Sequence, residues 1–288
     1  MPLPLVLGHE WVGVVDAVGS DLYAQLIGQR VVGEINITCR SRHSEDPCAA
    51  CRAALESHCQ VRTVMGIVGA DGVFASDVLV PAANLRPVPH TVLDEHAVFV
   101  EPLAAALQTF EITPTYPGER VVVLGAGRLG ALIVQVAKLR GAHVVAVSRS
   151  GEKRRRAKKL GAREALPVSP KLPAQVRDLF DGLGADLVVE ATGSPEGLPM
   201  ALELVRPRGT ISIKTTCGLP SSIDTTRMVV NEVQIASSRC GPFGKALNWL
   251  RDGRLKLSGL LGERFPFSRI EAAMVAARGS RKVLLEPD

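Results

Sequence analysis

Four of the six cysteines, Cys39, Cys48, Cys51 and Cys59, crowd into one short stretch of the chain. Four thiolates can close a tetrahedral zinc shell and tie down a loop that has no core of its own. In a reducing compartment, metal explains such a cluster better than disulfides do. Cys217 and Cys240 stand apart and read as small apolar residues. A second group is Gly8-His9-Glu10, where an imidazole beside a carboxylate offers a metal ligand and an acid; alone, the triplet equally suits a turn or core histidine. The third is VVVLGAGRLG, with Gly125, Gly127 and Gly130 where an apolar strand turns into a helix. Such glycines permit a tight turn, close approach of backbone to a pyrophosphate, and helix-on-strand packing. The helix start, Arg128 and Leu129 included, offers backbone N–H groups to the anion, so the motif predicts a dinucleotide site.

The strand after this motif ends at Ser148 and Arg149, and Arg149 lies nineteen residues beyond Gly130. NAD-binding turns usually carry a carboxylate there for the ribose hydroxyls, and none is present. Ser148 can hydrogen-bond a 2′-phosphate, and Arg149, helped by Lys153 or Arg154, can pair with it. The sequence therefore predicts NADP over NAD, the other reading being solvent-facing cations beside a cofactor bound elsewhere.

The elements that position these groups change character along the chain. Up to about residue 110, short β-branched runs (WVGVVDAVG, RVVGEI, ASDVLV) alternate with Gly, Pro and Asp, which predicts an irregular β-rich barrel in which no helix dominates. From Gly118, strands alternate with helices: RVVVLGAG, ALIVQVAKLR, HVVAVSR, EKRRRAKKL, DLVVEATG, LPMALELV and TISIKTT. Continuous apolar strands in a βαβ series predict a doubly wound parallel sheet covered on both faces. After Arg239 come two amphipathic helices near KALNWLRDG and RIEAAMVAARG and a strand KVLLEP, expected to return to the first domain. The expected domains are 1–112, with the cysteine lobe at 39–59, then 113–239, then 240–288.

The 288 residues suffice for two modest domains, and 46% hydrophobic with 22% charged residues is ordinary for a globular chain. No apolar run reaches bilayer length and the start lacks a signal peptide, so the cytoplasm is expected and no membrane partner is. The net charge of +5 owes much to KRRRAKK, a solvated helix face rather than a nucleic-acid tail.

With GHEWVG, the cysteine cluster and the glycine turn in one chain order, nearly the whole sequence resembles the zinc-containing medium-chain dehydrogenase/reductase family of alcohol and polyol dehydrogenases. The resemblance implies a GroES-like β-rich catalytic domain joined to a Rossmann domain. It makes His9 a ligand of a catalytic zinc, Glu10 the adjacent acid that can approach or replace a ligand, and Glu101 of VEPLAAALQ a third ligand. Glu101 can instead be an acid at a helix N-terminus. Such a zinc polarises an alcohol oxygen so that the alkoxide passes hydride to the nicotinamide. The cysteines resemble the family's structural-zinc lobe, whose usual intervals are two, two and seven residues. Here eight residues separate Cys39 from Cys48, as though RHSEDP were inserted; a flexible insertion costs little loop entropy, so four-thiolate binding is still expected, with His43 the alternative ligand. Thr192 and Gly193 of DLVVEATGSP resemble the segment passing the cofactor ribose, and Arg281 a cation near the pyrophosphate; turn or surface roles explain them equally.

Family members carry roughly fifty residues before the GHE motif, including the first barrel strands and a catalytic cysteine ligand, whereas eight residues precede His9 here. The resemblance thus implies an N-terminally incomplete catalytic domain of weakened zinc affinity and activity. The expected function is NADP-linked oxidation of a small alcohol or polyol, or the reverse carbonyl reduction, in a homodimer or homotetramer. The alternatives are a non-catalytic NADP-binding protein and a zinc-independent quinone or enone reductase on the same fold.

Overall fold

The structure, a computed structural model, describes residues 3–288, and the chain divides into two compact units. One comprises Met1–Glu101, Phe243–Leu257 and Leu261–Asp288; the other comprises Pro102–Pro242 and Ser258–Leu260.

The second unit holds a six-stranded sheet: β1 (Arg120–Leu124), β2 (His143–Val147), β3 (Glu164–Leu166), β4 (Ala185–Glu190), β5 (Val205–Ile213) and β6 (Gln234–Ser237). The spatial order is β6-β5-β4-β1-β2-β3, and every pairing is parallel. The chain runs outward from β1 through β2 and β3, then returns to the other side of β1 for β4, β5 and β6. The strand order therefore reverses between β1 and β4, the position at which doubly wound sheets bind ligands beyond their carboxyl ends. Six helices belong with it: α1 (Val100–Ile112), whose first two residues, Val100 and Glu101, group with the first unit, α2 (Arg128–Leu139), α3 (Gly151–Leu160), α4 (Leu172–Leu179), α5 (Gly197–Leu204) and α6 (Thr225–Val230). β1 and β2 each bury four of five residues, which is why they read as unbroken valine runs rather than as an alternation. On one face Val122, Leu124, Val145 and Val147 pack with Leu172, Val176, Leu202 and Leu204.

Helix α3 accounts for most of the basic run. Ser150 caps it by accepting from the Lys153 N–H, and Gly161 ends it with φ +115°. Only Arg156, Ala157 and Leu160 are buried in it, so most of its cations are solvated as the spacing predicts.

Three sequence expectations need correction. α1, the longest helix among the described residues, begins at Val100, inside a stretch expected to be without a dominant helix. Its apolar residues lie almost all round the axis, and Leu103, Ala104, Ala106, Leu107 and Phe110 are buried, so the amphipathic period that announces a surface helix is missing. ASDVLV, read as a β-branched run of the barrel, forms no strand, and its Leu79 is 97% exposed; alternation becomes a strand only where a partner supplies hydrogen bonds. Between α3 and β4 the structure adds β3 and α4, too short to carry a legible period.

The first unit contains an antiparallel sheet of Gly13–Val14, Arg30–Gly33 and Leu85–Pro87, a sheet of Asn36–Ile37, Thr63–Met65 and Gly69–Ala70, and a parallel pair of Leu261–Pro266 with Lys282–Glu286. The helices Phe243–Arg251 and Ile270–Ala276 group with it.

At the amino end of the parallel sheet, Asp186 of β4 accepts from the Arg120 backbone N–H (2.8 Å), from Arg120 Nε (2.9 Å) and NH2 (2.8 Å), and from Arg206 Nε. Burial acts to raise its pKa, but the hydrogen bonds from Arg120 and Arg206 outweigh it and hold the carboxyl well below the usual carboxylate range. A group depressed in the folded state contributes stability above its unfolded pKa of about 3.9 and loses it as pH falls toward the folded value. Asp186→Asn should lower the unfolding free energy by about 2–3 kcal/mol at pH 7. Urea unfolding at pH 7 and at about pH 3 should show the gap to wild type narrowing in acid.

Candidate functional site

His9 is placed by backbone rather than by a core. Gly8 takes φ +95°, a conformation side chains rarely adopt. The segment leading to it lies against residues 71–74: Gly72 N–H donates to Val6 O (2.8 Å), Val73 N–H to Gly8 O (3.0 Å) and Phe74 N–H to Leu7 O (2.9 Å). His9 and Glu10 then meet Glu101, from the first turn of α1, and one donor atom from each lies within 4.8 Å of the others. Burial lowers the His9 pKa and the charge of Lys282 lowers it further, which favours the neutral imidazole that binds metal. An imidazole and two carboxylates form a donor set that suits zinc.

Lys282 is the residue that sequence reasoning missed. Its Nζ pairs with Glu10 and stands 5.3 Å from the Phe99 ring centroid, and burial pushes the amine down to about 7. The neighbouring Arg281, singled out from the sequence, lies just before the strand and is exposed. The available signal was a lysine opening an otherwise apolar strand, KVLLEP.

Cys39, Cys48, Cys51 and Cys59 come together, one sulfur from each within 4.8 Å of the rest. Cys39 Sγ and Cys59 Sγ are 3.6 Å apart, and Cys48 Sγ and Cys59 Sγ 3.8 Å. Zinc–sulfur bonds of about 2.3 Å at tetrahedral angles put sulfurs about 3.8 Å apart, so the cluster fits zinc in size. Gln60 N–H donates to Cys48 Sγ, and this bond, with another from the Cys51 backbone, pulls the Cys48 thiol down to about 6. Burial pushes Cys51 up to about 12. The extra residues between Cys39 and Cys48 fold outward as a turn: His43 N–H donates to Arg40 O, Ser44 N–H to Cys39 O, and Cys48 N–H returns to Cys39 Sγ. Cys39 thus keeps its place in the cluster. His43 is not brought to it; at φ +50° its Nε2 lies 3.2 Å from Tyr23 Oη, which corrects its reading as a substitute ligand.

In the second unit, Gly125 has φ +102°, and a Cβ there would lie 2.8 Å from Thr192 N and 2.6 Å from Ala191 C. Gly130 likewise abuts the Gly125 carbonyl, whereas nothing stands within 4 Å of a Cβ on Gly127. The start of α2, with Arg128 exposed and Leu129 half-buried, follows Gly127, which supplies no side-chain cap to the first turn. Such a helix start suits a pyrophosphate. Arg156, buried and not singled out from the sequence, donates to Ala126 O (3.2 Å) in the glycine turn.

Ser148 is buried and Arg149 exposed. Arg154 NH1 is engaged by Ser148 O (2.7 Å) and Arg149 O (2.9 Å), so this arginine shapes the loop that presents Arg149 and Lys153. Thr192 and Gly193 form the turn beyond β4, beside Gly125.

Comparison with known proteins agrees with this arrangement. Residues 1–90 match the model of the alcohol dehydrogenase GroES-like domain, and residues 129–252 that of zinc-binding dehydrogenase. The L-threonine 3-dehydrogenase of Chromobacterium violaceum is 31% identical over 299 residues, covering 99% of this chain and 83% of the relative. Among solved structures, the rspB alcohol dehydrogenase from Escherichia coli CFT073, complexed with NADH, superposes with a TM-score of 0.89 at 29% identity, covering 99% of this chain and 85% of that one. A zinc-binding dehydrogenase from Sinorhizobium meliloti 1021, bound to NADP, gives 0.87 at 30% identity, with 99% and 84% covered. A likeness of this strength over 99% of the chain, joined to a GroES-like segment, a doubly wound parallel sheet and two clusters of side chains able to hold a metal ion, shows that the chain belongs to the zinc-type medium-chain dehydrogenase/reductase family of oxidoreductases.

Proposed function

We propose that the protein is a zinc-dependent, NADP-preferring dehydrogenase of a small alcohol or polyol, working equally as a reductase of the carbonyl product. The observation that carries this reading is the convergence of His9, Glu10 and Glu101, with donor atoms within 4.8 Å although Glu101 lies ninety-one residues after Glu10. His9 and Glu101 hold the catalytic zinc, and Cys39, Cys48, Cys51 and Cys59 hold a structural one. Bound there, zinc supplies polarisation of the alcohol oxygen, while NADP supplies the acceptor for its hydride.

The chain's own residues set the conditions for that chemistry. Burial keeps the His9 imidazole neutral and available as a ligand. Lys282 holds Glu10 at the edge of the cluster and offsets its charge. Gly125, Gly127 and Gly130, with Arg128 and Leu129 at the helix start, cradle the pyrophosphate, and Thr192 and Gly193 pass the ribose. Ser148, Arg149 and Lys153 receive the 2′-phosphate; the absence of a carboxylate at the end of β2 supports this, since an acid there repels the phosphate. The cysteine cluster and His9 weigh against a zinc-independent reductase.

A homodimer or homotetramer is favoured by β6, an exposed edge strand carrying Ile235, beside Val229 and Val230, which are 77% and 74% exposed. The cytoplasm fits six cysteines that form no disulfide, and among the described residues no helix is long and apolar enough to cross a membrane.

Zinc analysis by mass spectrometry in zinc-supplemented buffer should find one ion held tightly by the cysteines and a second held more weakly at His9: Cys59→Ala should lose the first and keep the second, and His9→Ala should do the reverse. His9→Ala should also lower alcohol-dependent NADPH formation, across a panel of small alcohols and polyols, by about 100-fold or more. A wild-type protein free of zinc sinks the assignment. Wild type should prefer NADP over NAD in kcat/KM, and Arg149→Asp should shift that preference toward NAD by about 10- to 100-fold; equal wild-type values for the two cofactors remove the NADP reading alone.

A further inference from the structure

We propose that Glu190 is a positioning residue of the cofactor site, a buried carboxylate that holds the Thr192–Ser194 turn in the shape that receives the dinucleotide. The inference rests on the reading of the second unit as an NAD(P) site and adds a residue that neither the glycine motif nor the family likeness singles out.

Glu190 is the last residue of β4 and is 1% exposed. The residues before it, Leu187, Val188 and Val189, are buried and apolar, so an apolar side chain would satisfy packing alone at this point. Placing a carboxylate there is costly unless donors hold it. Thr192 supplies both: its backbone N–H donates to Glu190 Oε1 at 2.8 Å and its hydroxyl donates to the same oxygen at 2.6 Å. Among the described residues, no cation pairs with Glu190, and both donors that reach its carboxylate come from this one turn, to Oε1. Hydrogen bonds to an ionised acceptor are stronger than those between neutral groups, which gives the turn a fixed anchor.

The network extends outward from that anchor. Thr192 Oγ1 accepts from Ser194 N–H (3.1 Å), and Gly193 N–H donates to Thr215 Oγ1 (3.0 Å), beyond the end of β5. The Lys214 N–H donates to the Glu190 backbone oxygen (2.8 Å), so β4 and β5 are joined at the same level. Gly197, which opens α5, must lack a side chain, because a Cβ there would press on the Glu190 carboxylate, 2.6 Å from Cδ, and on the Thr192 hydroxyl. Gly193 itself has φ +73° and open space where a Cβ would be, so a ligand can approach its backbone.

The location gives the network its role. Thr192 N lies 2.8 Å from where a Gly125 Cβ would be, so the anchored turn and the glycine turn form the two lips at the point where the strand order reverses. A doubly wound sheet binds its dinucleotide there, and affinity depends on both lips being preformed rather than ordered on binding.

The test is fluorescence titration of the full chain with NADPH and with NADH, alongside thermal unfolding, for Glu190→Leu, Glu190→Gln and Gly197→Ala. Glu190→Leu removes the acceptor, and its Kd for the preferred cofactor should rise about 10-fold. Glu190→Gln keeps an acceptor oxygen for both Thr192 donors and should restore binding to within about 3-fold of wild type. Gly197→Ala leaves the carboxylate but presses a methyl into its bond with Thr192, so it should weaken binding as Glu190→Leu does and decides the matter if Glu190→Leu does not fold. A lower Tm with unchanged Kd in Glu190→Leu or Gly197→Ala makes Glu190 a core residue and overturns the proposal. Wild type that binds neither nucleotide overturns the dinucleotide reading itself, which separates that failure from this one.

Discussion

At Gly125 the turn leaving β1 passes so close to the end of β4 that a side chain would collide with the Ala191–Thr192 backbone, and at Gly130 the following helix closes equally tightly on the turn. This contact of backbone with backbone is the constraint on which the second unit depends. It fixes the spacing of β1 and β4 where the sheet changes direction, and it leaves the first residues of α2 open at the surface. Nearly all of the surrounding strand residues are buried, so the turn cannot relax by moving a strand without opening the core. The crevice is therefore rigid because the packing beneath it is dense.

The first unit solves a different problem. Its sheets are short, of two or three strands, and His9 is reached through a segment held by backbone hydrogen bonds to a neighbouring loop. Such a region buries little apolar surface for each residue it must order. A metal ion on the four cysteines would give the 39–59 lobe the sort of cross-link that a core otherwise provides, and an outward turn absorbs the residues between the first two without displacing Cys39. The His9 cluster carries two carboxylates and one imidazole in a half-buried place, a concentration of negative charge that needs a cation. Lys282 supplies one to Glu10 from a strand near the end of the chain.

Cofactor preference and metal binding draw on different kinds of residue. Of the groups that could hold a metal, the cysteines lie close together in sequence, whereas Glu101 reaches His9 and Glu10 only through folding. The residues at the end of β2 are consecutive, and the loop they form is shaped by Arg154 reaching back to the Ser148 and Arg149 carbonyls from the next helix.

The sequence by itself determined the elements whose pattern is local. The glycine turn, the valine-rich strands, the capped basic helix and the cysteine spacing all state their geometry within a few residues, because period, turn chemistry and capping act over one or two turns of chain. Tertiary structure alone decided the rest. That Lys282 meets Glu10 depends on pairing between residues at opposite ends of the chain, and that the extra residues leave Cys39 in its expected place and carry His43 away depends on how a turn folds outward. The helix Val100–Ile112 showed only as an apolar run after Glu101, because burial on nearly every side erases periodicity. Glu190 lies within DLVVEATGSP, whose Thr192 and Gly193 the resemblance marks, but only the fold shows that its carboxylate is buried and accepts from Thr192.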